Sequence, residues 1–218
     1  MVALLGRMRR ERNGAVADSM RFYGRPYGLN YGVSLPTLRM LAREELPDHD
    51  FARYLYLQDV RELRLAALHI ARPERLTPGE FGFWADGIVN SEVAEEAAFA
   101  LLSRADALSA LFAEWTTNGG PLLRYAALLA GARSPHPAPE WIGMASEAVH
   151  RAAEAEADGR AAAPYDARLT ARGAVALLAA VAAGNEENRR AVIRAAGSLG
   201  KLPAEDCVHE ELAWRLEA

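Results

Sequence analysis

Trp84, Asp86, Asn90 and Glu92 fall within nine residues of one another, and they are the densest group of side chains in the chain able to do polar chemistry. The spacing sets an aromatic face close to two carboxylates and an amide. The same pattern also suits a tryptophan packed in a core or at a helix end. A second group lies near the N-terminus, where Arg7, Arg9, Arg10 and Arg12 are followed by Arg21 and Arg25 beside Tyr23, Tyr27 and Tyr31. Arginines interleaved with tyrosines can hold phosphates and stack on sugars or bases. A solvated helix with tyrosines packed beneath it fits the same residues.

Other chemistries find little support. His49, His69, His136, His150 and His209 are not paired at helical spacing with one another or with a cysteine, so no zinc site is expected. Cys207 is the only cysteine, which rules out an internal disulfide and a multi-thiolate metal site. There is no Gly-rich loop after a strand, no Gly-x-Ser-x-Gly elbow and no phosphate-binding P-loop pattern, and no cofactor is expected.

The charge balance bears on nucleic acid. The formal net charge is −4, from 29 acidic and 25 basic residues. Any DNA affinity must therefore come from local clustering. Of the basic residues only Lys201 is lysine, and arginine offers phosphate a planar, two-pronged donor.

These residues need elements to position them, and the apolar pattern says which. Helical spacing recurs through Val60, Leu63, Ala67 and Ile70; Ala94, Ala97, Ala98, Leu101 and Leu102; Leu108, Leu111, Phe112 and Trp115. It continues through Leu123, Ala126, Ala127 and Ala130, then Ile142 to Ala152, Ala174 to Val181, and Val192, Ile193 and Ala196. Pro and Gly clusters at Arg72-Pro73, Thr77-Pro78, 118–121, 134–137, Gly184-Asn185 and Leu202-Pro203 separate helices of about three turns. Ser34 and Thr77 are the expected N-caps of helices that carry Pro36 and Pro78 in their first turns. Residues 154–164 read as a helix end running into a loop.

No single helix here has enough apolar surface to stand alone, so each must bury its stripe on the next. The interval between corresponding stripes is about 30 to 35 residues, which is repeat-like. The expected fold is all-α, with helical repeats forming a curved superhelix in one domain over residues 1–218; an irregular helical bundle is the alternative. At 51% hydrophobic content the chain can bury a sizeable core. Its apolar runs fall short of the roughly 20 residues that cross a bilayer, and Met1 to Leu5 is too brief for a secretory signal. A cytoplasmic protein is expected.

One stretch is more specific. Residues 20–45, and within them Gly32-Val-Ser-Leu-Pro-Thr-Leu-Arg39, resemble the opening segment of AlkD-like DNA alkylation repair proteins, as do residues 61–68 and 115–127. The likeness covers most of residues 15–135. It implies a HEAT-like array gripping duplex DNA on a concave basic face, and a glycosylase that releases alkylated purines. A base alkylated on a ring nitrogen is already a good leaving group, so such a site needs mainly a carboxylate to stabilise an oxocarbenium-like sugar.

By that resemblance the family's catalytic Asp falls on Asn90, with Glu92 and Asp86 as neighbouring carboxylates. Trp84 is the nearest counterpart of the family's tryptophan, displaced by two residues. Its phosphate-binding arginine corresponds to Arg124, although Tyr125 intervenes; one residue turns a side chain by about 100° on a helix. Arg10, Arg25, Arg39, Arg124 and Tyr27 are the expected DNA contacts. A non-catalytic HEAT-like module that binds DNA shape or another protein is the alternative, and the sequence names no protein partner.

Overall fold

The computed structural model describes residues 1–22, 27–163 and 165–217. Among these residues there are thirteen α-helices, and the only β pairing is an isolated parallel bridge between Leu29 and Val60. The backbone divides into two compact units, Met1–Leu101 and Leu102–Ala218.

The first unit holds α1 (Val2–Arg10), α2 (Gly14–Phe22), α3 (Leu35–Arg43), α4 (His49–Tyr56), α5 (Arg61–Ile70), α6 (Phe81–Asp86) and α7 (Ser91–Ala100). Ser34 caps α3, its hydroxyl accepting from Thr37 N at 3.3 Å, and Pro36 sits in the first turn as expected. Thr77 departs from expectation. Its side chain makes no capping bond, because Pro78–Glu80 form a 3-10 turn leading into α6 rather than the first turn of an α-helix.

Helix α5 is the centre of this unit. It packs on α3, α4 and α7, and α1 lies on α3 and α5. Leu63, Leu65, Leu68 and Ile70 are each at most 1% exposed, and burying side chains of this size contributes about 1.5 to 3 kcal/mol apiece.

The second unit holds α8 (Leu108–Thr117), α9 (Pro121–Arg133), α10 (Trp141–Ala157), α11 (Asp166–Ala182), α12 (Glu186–Gly197) and α13 (Pro203–Glu217). Helices α10 and α11 each run 17 residues, longer than the three turns expected. No proline interrupts either, and Gly173 inside α11 is held by close packing. A Cβ there would lie 2.9 Å from Leu128 Cβ on α9. The cost of a mid-helix glycine, about 1 kcal/mol, is offset by the near approach of the two helices. Val192 and Ala196 are buried while Ile193, grouped with them in sequence, is 51% exposed; adjacent helical residues point about 100° apart.

A repeat interval also emerges. The N-caps of α5, α7 and α9 are Val60, Asn90 and Gly120, each 30 residues after the last. The period lies at the lower end of the range read from the apolar stripes.

Candidate functional site

The segment 27–34, which overlaps the most family-specific residues, is tied down along its length. Leu29 N donates to Asp59 O at 2.9 Å, and Arg61 N donates to Leu29 O at 2.8 Å. Gly28 N donates to the Asp59 carboxylate at 3.1 Å. Further on, the carboxylate of Glu62, fully buried, accepts from Tyr31 N and Val33 N, each at 3.2 Å. A carboxylate used this way replaces the missing strand partner of the segment.

Next to Glu62, the guanidinium of Arg61 is 1% exposed and uses all three nitrogens. Nε donates to Glu92 Oε2 at 2.9 Å and Nη2 to Glu92 Oε1 at 2.7 Å. Nη1 donates to Val33 O at 2.9 Å and to Glu62 Oε1 at 3.0 Å. Burial acts against the Arg61 charge, but the Glu92 hydrogen bonds outweigh it and hold the guanidinium protonated.

Tyr27 completes the cluster. Its hydroxyl donates to Glu92 Oε2 at 2.6 Å and approaches Asn90 Oδ1 at 3.2 Å. Burial and then the Glu92 charge push the phenol up, so it remains a neutral donor. The structure thus brings together Tyr27, Asn90 and Glu92, three of the residues singled out in the sequence, with Arg61 and Glu62 as their unanticipated partners.

This geometry limits what the group can do. Glu92 is 7% exposed and its charge is neutralised by a two-pronged arginine, so little negative potential remains for a sugar cation. Asn90, 9% exposed, caps α7, its Oδ1 accepting from Val93 N at 3.1 Å. The Asn90 Nδ2 is buried without a partner among the described residues. An amide N–H presents positive charge, which is the wrong sign for an oxocarbenium ion.

Trp84 is 1% exposed. Tyr56, Phe83 and His49 surround it at ring separations of 4.8, 5.2 and 5.7 Å, and its indole Nε1 has no partner among the described residues. Asp86, at the end of α6, is exposed and makes no ion pair among the described residues.

Of the expected DNA contacts, Arg39 grips Glu96 through Nε and Nη2, at 2.8 and 2.7 Å, and lies 4.5 Å over the Phe99 ring. His69 Nε2 also meets Glu96. Burial favours the neutral form of Glu96, but hydrogen bonds from Arg39 and His69 prevail and hold its carboxyl down at about 2. In the second unit Arg124 donates to Asp166 Oδ1 at 2.6 Å and to Gly119 O at 3.3 Å. Arg10 is exposed. Arg25 and Tyr23 lie outside the described residues.

The family model for DNA alkylation repair enzyme matches residues 4–134. The chain belongs to this family. None of the curated proteins gives a significant match. A solved structure described as "a new family of proteins related to the HEAT-like repeat DNA glycosylases with affinity for branched DNA structures" is 14% identical to this member, with a TM-score of 0.65. It covers 97% of this chain and 93% of that chain. The all-α, HEAT-like repeat fold expected from the sequence is thereby shown.

Among the described residues no group of three or more His, Cys, Asp or Glu is placed to hold a metal ion, and no helix is long and apolar enough to cross a membrane. The residues this family member uses most heavily, Arg61, Glu62 and Glu96, were not singled out from sequence. A signal for one of them exists: Glu62 lies 30 residues before Glu92, and each stands two positions after its helix cap. That register marks them as equivalent members of a repeat, and buried charges at equivalent places call for a partner.

Proposed function

We propose that this protein binds DNA, branched or locally opened DNA included, without releasing alkylated bases. Family membership and the fold shared with a group described as having affinity for branched DNA favour a DNA ligand. The observation that carries the non-catalytic reading is the capture of Glu92 by Arg61 and Tyr27 beside a neutral Asn90. The arrangement spends its nearest carboxylate on holding the 27–34 segment. The test is twofold. Alkylated duplex DNA incubated with micromolar protein should yield free methylated purines at no more than the buffer blank. A labelled four-way junction should bind with an affinity that falls steeply with log salt, since released counterions mark phosphate contacts. A salt-independent or absent signal would point instead to a protein partner.

Base release is the second reading, and one observation favours it. Asp86 is an exposed carboxylate, unpaired among the described residues, at the end of α6 four residues before Asn90. If methylated purines are released, Asp86→Asn should abolish the release while Glu92→Gln, if it folds, should leave it.

A further inference from the structure

Resting on the DNA-binding reading, we infer that the DNA phosphates are held by Arg9, Arg10 and Arg12, at the end of α1 and the turn that follows it. Three arginines that the sequence also offers are a contrast. Arg39, Arg61 and Arg124 each hold a buried carboxylate, Glu96, Glu92 and Asp166, at 2.6 to 2.9 Å. A phosphate approaching any of them would have to displace that carboxylate and leave its charge buried and unpaired. Arg9, Arg10 and Arg12 are exposed and make no ion pair among the described residues. They are free to exchange water for phosphate.

Their platform is rigid. Leu4 and Met8 bury one stripe of α1 at 1% and 0% exposure, and Arg7, one turn from the cluster's end, is anchored by Glu44 and Glu45. The turn after α1 is fixed by Asn13 N donating to Tyr31 O at 2.8 Å. Arg9 Cζ lies 5.6 Å over the centre of the Tyr31 ring, a cation–π contact that positions the charge without neutralising it. The local charge fits as well. Residues 1–22 hold Arg7, Arg9, Arg10, Arg12 and Arg21 against Glu11 and Asp18, a net of +3 within a chain of net −4. A basic end on an acidic molecule orients it toward a polyanion.

The contacts are with the sugar-phosphate backbone and carry no base information. The experiment is fluorescence anisotropy of a labelled four-way junction and a linear duplex between 50 and 200 mM salt. The proteins are the full chain, the triple variant Arg9→Gln/Arg10→Gln/Arg12→Gln, and a control with the same charge change, Arg133→Gln/Arg168→Gln/Arg194→Gln, at exposed sites of the second unit. Losing three phosphate contacts should lower the slope of log affinity against log salt by about 3, so that over this range the parent loses about 40-fold more affinity than the triple variant. The control should keep the parent slope.

An unchanged slope in the triple variant, or an equal fall in the control, overturns the inference and leaves DNA binding in place. A lowered Tm with an unchanged slope assigns the three arginines to the α1 helix dipole alone, and also overturns it. No binding of the parent to either DNA overturns the DNA reading itself, and binding to phosphatidylserine vesicles in its place would make α1 a membrane-surface helix.

Discussion

Arg61 holds Glu92 through two parallel hydrogen bonds, Nε to Oε2 at 2.9 Å and Nη2 to Oε1 at 2.7 Å, with both side chains removed from solvent. The pair joins the first turn of α5 to the first turn of α7 across 31 residues. Removing one partner would strand a buried charge, which typically costs about 3 to 5 kcal/mol. Arg61→Ala is expected to destabilise the protein by that amount, since it strands Glu62 as well as Glu92. Urea denaturation monitored by tryptophan fluorescence measures it; a loss below about 1 kcal/mol would mean the network is dispensable.

Asn90 acts as the N-cap of α7. Replacing a capping Asn by Ala costs about 1 kcal/mol, whereas Asp caps equally well. Asn90→Ala should therefore lower stability by about that amount, and Asn90→Asp should stay nearer the parent. If the two variants were equally unstable, the amide's bond to Val93 N would not be its main contribution.

Glu96 gives a pH dependence with a definite sign. Its carboxyl is held at about 2, below the ordinary value of 4.5. A depressed acid stabilises the fold above its unfolded pKa, and the contribution fades as pH falls through the folded one. Stability should thus fall by about 3 kcal/mol between pH 4.5 and 2 from this group alone. Glu96→Gln should flatten that part of the curve, measured as the urea midpoint at each pH. A slope unaltered in the variant would remove Glu96 as its source.

Gly32 has φ of +70°, and a Cβ there would meet Asn13 O at 2.1 Å. Left-handed backbone alone costs a non-glycine residue about 1 to 2 kcal/mol, and the backbone oxygen cannot move aside cheaply. Gly32→Ala should cost more than 2 kcal/mol and lower Tm by several degrees. A shift within error would show that the turn rearranges freely.

Much of the frame was legible because its signals are local. Ser34, Leu35 and Pro36 start α3 through capping and a pre-set φ, and the break read at Gly184-Asn185 falls between α11 and α12. Apolar residues three and four apart marked the stripes that became buried, with Trp115 at 2% exposure closing the one on α8. Thr77 misled because a Pro after a Thr suits a 3-10 turn as readily as a helix.

The site was legible only as a neighbourhood. The sequence by itself determined the helices, their breaks and a short list of polar residues, since propensity, capping and periodicity act over a few residues. Only the tertiary structure decided which charges are free. Arg39, Arg61 and Arg124 look alike in sequence to Arg9, Arg10 and Arg12, but their carboxylates come from 57, 31 and 42 residues away. Helix packing brings those partners within 3 Å, where burial makes the pairing hard to undo, and no local pattern encodes that distance.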